Sequence, residues 1–63
     1  MTIRKGDYIV LDENVFNRMG FKNRINKFLV QKGVNKLNGV VHFYGHGINC
    51  VCAWQIAEVM KSK

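Results

Sequence analysis

Acidic residues are nearly missing from this chain. Only four occur, Asp7, Asp12, Glu13 and Glu58, and none lies between Asn14 and Ala57. Six basic residues occupy that stretch: Arg18, Lys22, Arg24, Lys27, Lys32 and Lys36. A middle without local counter-charge carries a positive field in any fold. Proline is absent, so no Pro-rich linker divides the 63 residues. A single domain, 1–63, is the most this length allows. No apolar run approaches the roughly 18–20 residues needed to span a bilayer, so no membrane partner is expected. Arg4 and Lys5 are not followed by an apolar run with a small-residue cleavage site, so a signal peptide is not expected. Cysteine is scarce, with only Cys50 and Cys52. Positions i and i+2 of a strand share a face roughly 6.5–7 Å apart. That spacing is at the limit for a disulfide, and so short a loop would add almost no closure entropy. We read both as reduced thiols of a cytoplasmic protein.

What is present is apolar and basic. Hydrophobic residues make up 48% of the chain, which argues against intrinsic disorder. The formal charge is +6 and the isoelectric point about 9.8, a composition that suits a nucleic-acid partner. A domain of this size buries only about 60% of its unfolded surface, so its stability is marginal.

Residues 5–12 read as a strand, with Tyr8-Ile9-Val10-Leu11 bounded by Gly-Asp and Asp-Glu-Asn. A helical insertion is expected over 14–33. Asn14 suits an N-cap, Val15, Phe16 and Met19 share a helical face, and Gly20 suits a C-terminal stop. From Lys22 to Lys32 the spacing of Ile25, Phe28 and Leu29 predicts an amphipathic helix, with Gly33 ending it. A strand through Phe28-Leu29-Val30 is the rival reading, and so short an apolar run does not decide between them. Residues 39–54 read as a β-hairpin around Gly45-His46-Gly47. With His46-Gly47 as a two-residue loop, Phe43 faces Cys50 and Val41 faces Cys52, which gathers an apolar face. His42, Tyr44, Asn49 and Val51 then fall on the other face. The tail over 55–60 reads as a 3₁₀ turn leading into a last short strand, with a closing helical turn as the alternative. The expected core is Val10, Ile25, Phe28, Phe43, Cys52 and Trp54.

Lys5-Gly6-Asp7-Tyr8-Ile9-Val10-Leu11, Gly39-Val40-Val41, Val51-Cys52-Ala53-Trp54 and Gln55-Ile56-Ala57-Glu58-Val59-Met60 together resemble a small SH3-like barrel of the KOW or Tudor kind. The resemblance covers about half the chain and departs from the pattern at Asp12–Asn38, which is longer than the usual first loop. It implies an α+β fold: a small antiparallel SH3-like sheet or barrel, with a short helical insertion between the first strand and the central hairpin. It also implies a binding module rather than an enzyme. Small basic domains of this sort resemble those encoded by tailed phages for host takeover, which implies a viral accessory protein.

The chemistry-bearing residues support no named reaction. His42, His46, Cys50 and Cys52 include the donor types for tetrahedral zinc. In the hairpin above, however, His42 points away from both thiols, so we read them as small buried thiols and expect no metal and no cofactor. The same geometry opposes a Cys50–His42 nucleophile pair, and no catalytic residue is expected. Gly45-His46-Gly47 precedes no helix and so is no phosphate loop. Arg18, Lys22, Arg24, Lys27, Lys32 and Lys36 can neutralise backbone phosphates, or they can simply keep a small protein soluble. Asn23, Asn26 and Gln31 can add phosphate or base-edge hydrogen bonds. Tyr44, on the outer face of the hairpin, can stack on a base or cover a gap left by the insertion.

The expected function is that of a small basic module binding DNA or RNA mainly through backbone phosphates. Its site residues would be Arg18, Lys22, Arg24, Lys27, Lys32, Lys36 and Tyr44. The alternative is a protein-interaction module that docks on an acidic face of a host or partner protein and inhibits or redirects it. An exposed sheet edge in so small a protein also invites pairing into a homodimer.

Overall fold

A computed structural model describes residues 2–22, 24–34, 39–45 and 47–61. Five strands form one antiparallel open sheet, accompanied by one short helix: β1 (Tyr8–Leu11), α1 (Glu13–Met19), β2 (Phe28–Lys32), β3 (Val40–Tyr44), β4 (Ile48–Cys52), a 3₁₀ turn (Ala53–Gln55) and β5 (Ile56–Met60). The strand order is β4-β3-β2-β1-β5. The fold is thus a small α+β sheet, as expected. Among the described residues no helix is long and apolar enough to cross a membrane.

Alternation builds the core. Ile9 and Leu11 of β1, Phe28 and Val30 of β2, Val41 and Phe43 of β3, and Val51 of β4 all point inward, joined by Ile3, Phe16, Ala53 and Ile56. All four phenylalanines touch in one cluster: Phe28 packs on Phe43 at 4.9 Å and on Phe21 at 5.0 Å, and Phe16 stacks on Phe21 at 5.7 Å. Such offset and tilted ring pairs add to plain area burial. The helix starts one turn signal earlier than expected. Asp12, not Asn14, is the N-cap, and its carboxylate accepts from the backbone N–H groups of Asn14 and Val15. Gly20 ends α1 in the left-handed conformation at φ +71°, as its lack of Cβ permits.

The amphipathic helix over Lys22–Lys32 is not formed, and the rival strand is. The reason lies outside the segment. The Asn26 side chain accepts from Leu11 N–H at 2.8 Å and donates to Leu11 C=O at 2.7 Å, taking the place of a strand partner at the end of β1. Beyond it, Tyr8 pairs with Leu29 and Ile9 with Phe28. Phe28 and Leu29 are therefore committed to β1, and Val30 and Lys32 to β3. The helical insertion shrinks from 14–33 to Glu13–Met19, and Ile25 is exposed rather than core.

The hairpin also differs from expectation, by one residue. Val41 pairs with Val51, His42 with Cys50 and Tyr44 with Ile48, so residues 45–47 form a three-residue connection. Gly47 takes φ +97°, and Gly45 N–H donates to Gly47 C=O at 2.8 Å. A one-residue slip exchanges the faces of a strand. Val51 goes inward, and Cys50 and Cys52 come out beside His42. Val41 and Phe43 stay in the core as expected, and on β4 Val51 takes the place of the two thiols. Parity then carries Ala53 inward and Trp54 outward, 62% exposed, so the expected burial of Trp54 is overturned. Val10 and Cys52 are half-buried.

Candidate functional site

The expected phosphate-binding residues do not share a helix face, because that helix is absent. They fall into two groups. Arg18, Lys22 and Arg24 lie on α1 and the loop after it. The Arg24 guanidinium sits 4.6 Å above the Phe16 ring and donates to Asn17 Oδ1, which holds its charge beside α1. Lys27 and Lys32 lie just before and at the end of β2. The Lys27 ammonium rests 4.9 Å from the centre of the Tyr8 ring, a cation–π contact that orders a flexible chain. Lys32 stands opposite His42 across the β2–β3 ladder. Lys36, Asn23 and His46 lie outside the described residues.

None of these five cations pairs with a carboxylate among the described residues, where the one ion pair joins Asp7 to Lys61 at 3.2 Å. Asp7 is buried and also accepts from Arg4 N–H at 3.0 Å, so its charge is spent on tying the two chain ends together. Asp12 is engaged in capping. Arg18, Lys22, Arg24, Lys27 and Lys32 are all exposed.

Tyr44 is 48% exposed and has neighbours that sequence reasoning missed. Tyr44 stands opposite Ile48 on β4. Val30 pairs with Phe43, and that register carried one residue on sets Leu29 beside Tyr44. Leu29 in turn pairs with Tyr8 on β1. Tyr8, Leu29, Tyr44 and Ile48 are thus successive neighbours in a row across four strands of the outer face. Tyr8 is 41% and Ile48 53% exposed. The signal for Tyr8 was present in the sequence: once Ile9 and Leu11 face the core, alternation turns Tyr8 outward.

His42, Cys50 and Cys52 share the outer face, contrary to the expected hairpin. Among the described residues no group of three His, Cys, Asp or Glu could hold a metal ion, and both cysteines are free thiols. Two shallow grooves lie between α1 and β4. One, of about 270 Å³, is lined by Val15, Arg18, Met19, Cys50, Val51 and Gln55. The other, of about 330 Å³, includes Phe21, Lys22 and Asn49.

Comparison of the chain with protein-family models, curated proteins and solved structures returns no match.

Proposed function

We propose that this chain is a small basic nucleic-acid-binding module of SH3-like architecture, working through backbone phosphates and not as an enzyme. The architecture is supported by the antiparallel order β4-β3-β2-β1-β5, with β2 pairing to β1 through Phe28 and Leu29 and to β3 through Val30 and Lys32. The 3₁₀ turn joining β4 to β5 fits the same pattern.

The observation that carries the function is the unpaired state of the exposed cations. Arg18, Lys22, Arg24, Lys27 and Lys32 have no carboxylate partner among the described residues. An unpaired surface cation leaves its counterion-binding capacity for a polyanion, and each phosphate it neutralises releases a counterion. Lys22 and Lys32 are the cleanest probes, because among the described residues neither has a hydrogen-bond or ring partner like those that hold Arg24 and Lys27.

The test is the salt dependence of binding to duplex and single-stranded oligonucleotides. Lys22→Gln and Lys32→Gln should each melt like the parent at about 0.15 M salt, where charge repulsion is screened. Each should reduce the slope of log affinity against log salt by about one unit, similarly across sequences. A parent that binds neither DNA nor RNA at low salt defeats the reading.

A second reading has its own support. The grooves between α1 and β4 combine apolar Val15, Met19 and Phe21 with the cations Arg18 and Lys22, a surface that suits an acidic protein partner. Such an interface has an apolar centre and a shallow salt slope. Pull-down from lysate with and without nuclease separates the two readings.

A further inference from the structure

The row of Tyr8, Leu29, Tyr44 and Ile48 has a chemistry that phosphate contacts do not use. From it we infer that the outer face of the sheet is a stacking platform for the bases of single-stranded nucleic acid, an inference that rests on the reading above.

Three features argue for that ligand. The first is the alternation of ring and aliphatic surface. Neighbouring strands lie about 4.8 Å apart, so Tyr8 and Tyr44, separated by β2, stand roughly 10 Å apart at the backbone. Leu29 fills the interval, and Ile48 extends the row by one strand. Every base has a π-face, so two tyrosine rings with aliphatic surface between them can receive bases without reading their edges. Folding does not require these rings outside: the core closes on the four phenylalanines and the inward aliphatics.

The second feature is charge. On one side of the row the Lys27 ammonium lies over the Tyr8 ring, so a base stacking there takes its place and leaves the cation beside that nucleotide. On the other side Lys32 and His42 stand opposite each other, with Cys50 next across the hairpin. The carboxylate on this face, Glu58, is out on edge strand β5, opposite Val10. Glu58 is thus diagonal to Tyr8, and a base placed on Tyr44 leaves its phosphate nearer Lys32 than any acid.

The third is curvature. The row crosses four strands of a twisted sheet on a body of 28 × 22 × 17 Å. A duplex is stiff on this scale, with a persistence length of about 150 base pairs, and touches only part of such a row. Its bases also present no faces. A single strand can follow the curve and offer each ring a base.

The experiment compares a twelve-nucleotide oligothymidylate, an abasic strand with the same number of phosphates, and a duplex of equal length, all at fixed salt. The oligothymidylate should bind about ten-fold tighter than the abasic strand, the scale of one stacked base. Tyr44→Ala should remove most of that advantage while leaving abasic binding and the salt slope unchanged, and Tyr44→Phe should restore it. Because the oligothymidylate–abasic comparison uses the parent chain, it stands even if Tyr44→Ala fails to fold. Equal, salt-dependent binding of both single strands overturns the platform and leaves the phosphate reading intact. Tighter binding to the duplex also overturns the platform. Binding of none of the three overturns the platform and the phosphate reading together.

Discussion

Trp54, set against Phe43, shows how one residue of turn length decides what a side chain does. Phe43 is fully buried, in contact with Phe21 and Phe28, whereas Trp54 is the most exposed aromatic among the described residues. Removing a buried phenylalanine leaves a cavity that surrounding chains only partly fill. Phe43→Ala should therefore cost about 3–5 kcal/mol, close to everything a core of this size supplies. Trp54→Ala should leave the melt within about 0.5 kcal/mol, the range of surface changes. The single tryptophan's fluorescence should resemble that of free tryptophan in water. Thermal melts of the two variants check both statements, and a blue-shifted emission with a large Trp54→Ala loss would place that ring in the core. The burial of Phe43 and Phe28 was legible from alternation alone. That of Trp54 was not, because alternation gives two opposite answers for Val51–Trp54 according to whether the connection has two residues or three. Composition favours neither, since Gly45 and Gly47 serve both turns. Cys50 and Cys52 mislead for the same reason. Their small apolar side chains fit a core, but Val51 between them fits it better.

Elements were legible where local signals and tertiary pairing agree. β1, the helix with its Gly20 stop, both arms of the hairpin and the closing turn and strand are of that kind. β2 is the exception. Ile25, Phe28 and Leu29 satisfy helical spacing, Phe28 and Val30 satisfy strand spacing, and the choice is made by the bonds from Asn26 to Leu11, 15 positions away, and by the pairing of Phe28 and Leu29 with the still more distant Ile9 and Tyr8. Spacing within the segment cannot register such a partner. Glycine positions divide in the same way. Gly20 needs its left-handed angle but has open space around it, so Gly20→Ala should lose about 1 kcal/mol. Gly33 does not take a left-handed angle, yet a Cβ there would lie 1.8 Å from the carbonyl oxygen of Ile3 and 2.8 Å from Arg4 Cα. Those atoms are backbone, and Ile3 is anchored by its N–H bond to Val34 C=O at 2.8 Å and by burial in the core. Gly33→Ala should therefore be the more damaging of the two, by at least the roughly 1–3 kcal/mol of an overpacked site. Denaturant titration of both variants ranks them. The reverse order would mean that Ile3 and Arg4 do not lie against Gly33.

At the scale of the whole molecule, the field that would attract a polyanion also works against folding. The chain carries ten Lys and Arg against four Asp and Glu. Among the described residues one acid is paired with Lys61 and another caps the helix. The folded body measures 28 × 22 × 17 Å, smaller than the Debye length of about 30 Å at 0.01 M salt. At that ionic strength every cation repels every other. Unfolding spreads the same charges along an expanded chain and relieves the repulsion. Near 0.15 M the Debye length falls to about 8 Å, and most of the relief is obtained without unfolding. The melting temperature should therefore rise with sodium chloride between these limits. One kcal/mol corresponds to about 4–8 °C in a domain of this size, so an increase of several degrees is expected. Inorganic polyphosphate at constant ionic strength should raise it further, because a ligand that binds the folded state shifts the equilibrium by mass action beyond what screening supplies. Lys22→Gln and Lys32→Gln should each flatten both responses, since each removes an unpaired charge from the folded state and a contact from the complex. A melting temperature that falls with salt would show that ion pairs, rather than unpaired cations, govern this surface. The cationic surface would then lose its claim to a polyanionic ligand.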